Sequence, residues 1–166
     1  MECTSSSKRE VADAASRCLS ALTDTVKNPE TQQLRPLIID AILDNSKMKT
    51  CLEAIMEKTF VNSLTIPSLS LIFPVLYRAM RSSKGQLVEK ACIAITNVTA
   101  LVTELEDLIP FRADILSELE KPRKHSWPEV REAAEKATAV INKAALQGQV
   151  RQVHFGCMLS WGILWC

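Results

Sequence analysis

At 166 residues the chain is long enough for one domain with a sizeable core, and 47% apolar residues can fill it. Only 5% of residues are aromatic and four are glycine, in a sequence rich in Ala, Leu, Ile, Glu and Lys, which argues against a strand-rich sandwich and for an all-α fold. Twenty basic against nineteen acidic residues leave a net charge of +1, which excludes a strong overall field toward nucleic acid or an anionic membrane, so any such patch must be local.

The N-terminus, "MECTSSSKRE", lacks the apolar core of a signal peptide, and residues 1–9 are expected to be disordered. "EVADAASRCLSAL" (10–22) is the first predicted helix, with Val11, Ala14, Ala15 and Cys18 at i, i+3, i+4 and i+7 on one stripe. Asn28 before Pro29 reads as an N-cap followed by proline at the first helical position. The next apolar segment, "LRPLIIDAIL", carries Pro36, which removes one helical hydrogen bond and bends the helix. A polar, basic turn, "DNSKMK" (44–49), leads into "CLEAI", which repeats the stripe through Cys51, Ala54 and Ile55.

"KTFVNSLTIPSLSLIFPVLYRAM" (58–80) is the most apolar long stretch before the last dozen residues. Pro67, Ser68, Ser70, Pro74 and Arg78 interrupt it, so it falls short of the roughly 20 apolar residues that a bilayer span needs. It reads instead as the end of one helix (58–61), a crossing loop (62–66) and a further helix (67–80) bent near Pro74. After the basic turn "RSSKG" (81–85), "VEKACIAI" again carries the stripe through Val88, Ala91, Cys92 and Ile95. Glu104, Glu106 and Asp107 form an acidic linker whose Asp107 is expected to cap a helix in "DLIPFRADILSEL", with Pro110 near its start. A third basic turn, "KPRKHSW" (121–127), precedes Pro128, which opens "EVREAAEKATAVI" (129–141). The apolar end from Phe155 to Cys166 is too short to span a bilayer.

The first and last of these helices share the pattern EVxxAA, and the four stripes start at Val11, Cys51, Val88 and Val130. Steps of 40, 37 and 42 residues are the length of a two-helix unit. The predicted architecture is therefore a HEAT/armadillo-type α-solenoid of about four helical-hairpin repeats over residues 10–145. The striped helices are its inner row and the proline-bearing segments its outer row. Pro36 and Pro74 keep register with Ala41 and Ala79 five residues later. Stacking places the three turns on one edge, making Lys47, Lys49, Arg81, Lys84, Lys121, Arg123 and Lys124 candidate contacts for RNA phosphates or an acidic protein surface. The plainer reading of the same residues is ordinary solvated turns.

The run "KNPETQQLRPLIIDAILDNSKMKTCLEAIMEKTFVNSLTIPSLSLIFPVLYRAM", followed by "ALVTELEDLIPF" and "PEVREAA", resembles a known family. These are the central HEAT repeats of the ribosome-associated translational activator of the general amino-acid control kinase, a region similar to the HEAT repeats of fungal elongation factor three. Matching positions are Lys27 to Glu30, Cys51 to Glu53, Thr59 to Val61, Pro67 to Leu71, Asn97, Asp107 to Pro110 and Pro128 to Arg131. Asn45, Thr65, Ile66, Thr96, Arg112 and Asp114 depart from the pattern, and residues 146–166 have no counterpart in it; this tail is expected to be poorly ordered. The resemblance implies a non-catalytic scaffold segment in the cytoplasm, with the ribosome and proteins of the eIF2α-kinase pathway as partners, contact with ribosomal RNA, and activation of that kinase in amino-acid starvation. No kinase-binding residue carries over to this chain. Full-length members are very long solenoids, so 166 residues with about four repeats are expected to be a fragment, a truncated gene copy or a gene model with a non-native tail. The alternative is a generic HEAT or armadillo adaptor unrelated to translation.

Little in the chain suggests other chemistry. Six scattered cysteines form no CxxC motif, so they read as reduced thiols, with Cys18, Cys51 and Cys92 as small core fillers. His125 and His154, the only histidines, have no partner at triad or metal spacing. With no phosphate loop, dinucleotide fingerprint or nucleophile elbow, no enzyme, cofactor, metal or small-molecule substrate is expected, and no membrane association. Trp127, just before the last inner helix, reads as a packing residue of the hydrophobic-staple kind, with a recognition aromatic as the alternative.

Overall fold

The computed structural model describes residues 9–161. Residues 1–8 and 162–166 lie outside the described residues, and with them most of the expected disordered N-terminus and the end of the expected tail. Seven α-helices and no strand occur among the described residues: α1 (Arg9–Thr23), α2 (Pro29–Leu43), α3 (Met48–Glu57), α4 (Ile66–Met80), α5 (Gly85–Ala100), α6 (Ile109–Leu119) and α7 (Pro128–Trp161). Helices α2/α3, α4/α5 and α6/α7 pair as hairpins. Helices α2, α4 and α6 touch in series as one layer, and α3, α5 and α7 as the other. The described residues thus form an all-α HEAT-type solenoid of three complete hairpins behind a single leading helix, α1, which packs on α2.

The stripes create the interior between the layers. Cys51, Val88 and Val130, the equivalent starting positions, are all buried, as are Ile55, Ala91, Cys92, Ile95, Ala133, Ala134, Ala137 and Ile141. Small side chains there let α5 and α7 approach closely, and Leu34, Ile38, Leu69, Ile72, Phe73 and Leu76 close the space from the outer layer. Ala41 and Ala79, the repeat-spaced alanines, are both fully buried. Phe73 stacks parallel to Tyr77 at 5.8 Å and tilts against Phe111 at 5.1 Å, tying α4 to α6. The apolar content of 58–80 has this cause: α4 lies in the middle of the stack and is covered on both sides.

Burial pushes the thiols of Cys51 and Cys92 up to about 12, which makes them inert fillers. Cys18 is a correction to the sequence reading, since it is exposed. Helix α1 turns Leu19 and Thr23 inward and leaves Val11, Ala14, Cys18 and Leu22 outward. The same register that is buried in α7 is therefore uncovered in α1.

Loop boundaries are set by polar contacts between units. Asn28 caps α2, its Oδ1 accepting from the Thr31 N–H at 2.8 Å and the Thr31 hydroxyl at 2.9 Å. Its Nδ2 donates to the carbonyls of Asn62 and Ser63 at 3.5 and 3.2 Å. The buried carboxylate of Glu30 accepts from the Val61 N–H at 3.2 Å and from Asn62 Nδ2 at 2.9 Å. Helix α3 consequently ends at Glu57, four residues before the expected Val61, because the next residues are captured by the start of α2. Leu64 then donates its N–H to the Leu101 carbonyl at 3.2 Å, joining this loop to the following one.

Two sequence expectations fail locally. Asp107 does not cap α6; it sits in a 3-10 turn, and the N-cap is Leu108, which makes no side-chain cap bond. Pro110 lies in the first turn of α6, where its missing N–H has no helical partner to lose, whereas Pro36 and Pro74 do lie inside α2 and α4.

Glu30's own backbone N–H is the largest cause holding its carboxyl below the ordinary 4.5; burial opposes this, and Val61 and Asn62 reinforce it. A depressed folded-state value contributes stability above the unfolded value that is lost as pH falls through the folded one. Glu30→Gln removes this charge while keeping the shape, so the loss of melting temperature from about pH 5 to pH 3 should be shallower than in wild type. An acid limb of unchanged slope, measured by circular dichroism, contradicts the role given to Glu30.

Candidate functional site

The three hairpin turns come together on one edge, and contacts between units hold them there. Arg78, in the last turn of α4, donates through Nη1 to the carbonyls of Ala41 and Ile42 at 3.4 and 2.7 Å, closing the C-terminus of α2. Arg81, just past α4, grips Glu118 near the end of α6 with both arms of its guanidinium, Nε to Oε2 at 2.9 Å and Nη2 to Oε1. Gly85, at the start of α5, lies under the indole of Trp127, just before α7. The ends of α2, α4 and α6 therefore align, and with them the turns after each.

The seven candidate cations divide into two groups. Arg81 is engaged by Glu118, which raises its pKa further. Arg123 and Lys124 share Glu120, at 3.1 and 3.4 Å. Lys47, Lys49, Lys84 and Lys121 are exposed and, among the described residues, reach no carboxylate within ion-pair distance. Lys47 and Lys49 are near enough to Asp44 and Glu53 to help depress those carboxyls. The larger causes are the Ser46 N–H, which donates to Asp44 at 2.8 Å, and Lys90, which reaches from α5 to Glu53 on α3 at 2.6 Å.

Trp127 packs, as the favoured reading has it, and its ring reaches the preceding unit: a Cβ on Gly85 would stand 2.8 Å from the indole, so a larger residue at the first position of α5 would force the ring to shift. The residue nonetheless remains 46% exposed. The loop carrying it is fixed by Arg131, whose Nη1 donates to the carbonyls of His125 and Ser126 at 2.8 and 2.9 Å. The Trp127 N–H donates to His125 Nδ1 at 3.1 Å, and the two rings meet edge to face at 6.1 Å. A shallow, open depression beside them is lined by Glu120, Lys121, Lys124, His125 and Ser126. The separation of Gly85 from Trp127 equals that of Val88 from Val130, so the repeat period carried a signal for this contact.

Among the described residues no three His, Cys, Asp or Glu side chains gather as a metal site, and no helix is long and apolar enough to cross a membrane. Among the described residues the edge offers exposed cations and one half-exposed indole.

Residues 47–152 match the family model described as Elongation factor 3/GNC1 HEAT repeat. Among known proteins, the chain is 34% identical over 133 residues to "Protein ILITYHIA" of Arabidopsis thaliana, covering 80% of this chain and 5% of that protein. It is 31% identical over 136 residues to the "eIF-2-alpha kinase activator GCN1" of Saccharomyces cerevisiae, covering 81% and 5%. Identity to the human "Stalled ribosome sensor GCN1" is 30% over 135 residues, again 81% and 5%. The chain thus spans about one twentieth of the length of these relatives.

Gly85→Ala should displace the indole. In a background where Trp161 and Trp165 are replaced by Phe, Trp127 emission should shift to the red. Stability should fall by about 1 kcal/mol, overpacking being partly offset by alanine's higher helix propensity. An unchanged emission maximum contradicts the contact.

Proposed function

The chain belongs to the Elongation factor 3/GNC1 HEAT-repeat family, and from that premise we propose that it is a non-catalytic scaffold segment of a ribosome-associated translational activator in the cytoplasm. Its hairpin-turn edge faces the ribosome, and its rigid stack sets the spacing between contacts made by neighbouring repeats. The observation that carries this reading is the alignment of three turns on one edge, with Lys47, Lys49, Lys84 and Lys121 left without ion pairs among the described residues. Unpaired lysines on a fixed edge suit phosphate contact, because phosphate binding is mainly a matter of salt-sensitive positioning by cations. The relatives named as a kinase activator and as a stalled-ribosome sensor support the further step, that ribosome engagement by the whole protein promotes eIF2α-kinase activation when amino acids are scarce.

The test is ribosome co-sedimentation of the full chain. Reversing Lys47, Lys49, Lys84 and Lys121 to Glu should lower the bound fraction about ten-fold at low salt. Reversing Arg123 and Lys124 should do less, since Glu120 already neutralises part of their charge. Unchanged co-sedimentation of the fourfold variant, with helix content retained, overturns the edge contact and returns the chain to the generic adaptor reading.

A further inference from the structure

The indole of Trp127 has no evident structural reason to stay half exposed. Its underside is seated on Gly85, Arg131 locks the two preceding carbonyls, and His125 buttresses one edge, so the ring is held rigidly with the rest of its surface open. Cationic residues lie nearby in the same turns. Lys84 precedes the glycine beneath the ring, and Lys121 and Lys124 line the depression alongside with His125 and Ser126. Glu120 also lines that depression but is occupied by Arg123 and Lys124, and Glu118 is occupied by Arg81. Among the described residues, Lys84, next to Gly85 in sequence, and Lys121, in the depression beside His125, are exposed and in no ion pair with a carboxylate.

We propose that Trp127, seated on Gly85 on the edge that also carries Lys84 and Lys121, is a stacking platform for an unpaired RNA base whose flanking phosphates meet those two lysines. A rigid aromatic face interleaved with free cations is the combination that single-stranded nucleic acid uses: bases stack on the ring while phosphates pair with the lysines. A duplex keeps its bases stacked on one another and offers only phosphates to such an edge. The inference rests on the reading of the turn edge as an RNA-facing surface and adds to it a preference for unpaired nucleotides.

The experiment is fluorescence anisotropy with the full chain and a labelled single-stranded oligoribonucleotide of about twelve nucleotides, compared with a duplex of the same length. Trp127→Ala should weaken single-strand binding about ten-fold and leave duplex binding unchanged, and Trp127→Phe, which keeps a ring, should restore most of the loss. Replacing Lys84 and Lys121 together with Ala should weaken both ligands and reduce the salt dependence of single-strand binding by roughly 1.4 in the log–log slope. Equal binding of wild type and Trp127→Ala to the single strand, with melting temperatures matched, overturns the stacking platform while leaving the basic edge intact. Absence of binding to either RNA overturns both. Quenching of Trp127 by an acidic peptide and not by RNA, in the background lacking the other two tryptophans, assigns the ring to protein recognition and likewise overturns the proposal.

Discussion

Contacts between residues one repeat apart hold this stack in register. A solenoid has no long-range closure, so each unit is positioned only by its neighbours. Apolar stripes alone fix that position poorly, because buried Ala, Val, Leu and Ile surfaces gain nearly the same free energy if one helix slides along another. Hydrogen bonds do not tolerate such sliding, since a partner lost on burial costs the full desolvation of the group left behind. Here they lie on both edges. On the junction edge, Asn28 and Glu30 hold residues 61–63, and Leu64 joins Leu101. On the turn edge, Arg78 closes α2 and Arg81 grips Glu118. Between them, Lys90 reaches Glu53 across the inner layer.

The functional geometry follows from that register. With the ends of α2, α4 and α6 aligned, the basic turns fall in a row and Trp127 comes to rest on the preceding unit's Gly85. Some of the same side chains divide their charge between the two tasks. Arg81, Arg123 and Lys124 are held by acids of the stack, which among the seven candidates leaves Lys47, Lys49, Lys84 and Lys121 without an ion pair. Counting basic residues alone does not reveal this difference.

The repeat, the all-α class, the outer and inner rows and the shared edge were legible in the sequence because they depend on period, and period survives in single residues such as Val88 and Val130. What was not legible depends on partners distant in sequence. The early end of α3 requires knowing that Glu30 reaches Val61. The Leu108 cap arises because Leu105–Asp107 winds into a 3-10 turn instead of offering Asp107 to the helix. Cys18 sits on a stripe indistinguishable by pattern from that of α7, yet α1 leans on α2 through Leu19 and Thr23 and leaves that stripe open. That Trp127 packs was legible, but its contact one repeat upstream was not, because the deciding feature there is a missing Cβ.

Hydrogen exchange at two loop amides tests the central claim most directly. Val61 and Leu64 belong to no helix, but their N–H groups are bonded to Glu30 and Leu101 across unit boundaries. If these bonds set the register, both amides open only when the units separate, and their protection should approach that of amides in the middle of α4 and α5. Exchange at the rate of free loop amides, while α4 and α5 stay protected, would mean that the apolar stripes alone position the repeats and that the alignment of the turn edge has another cause.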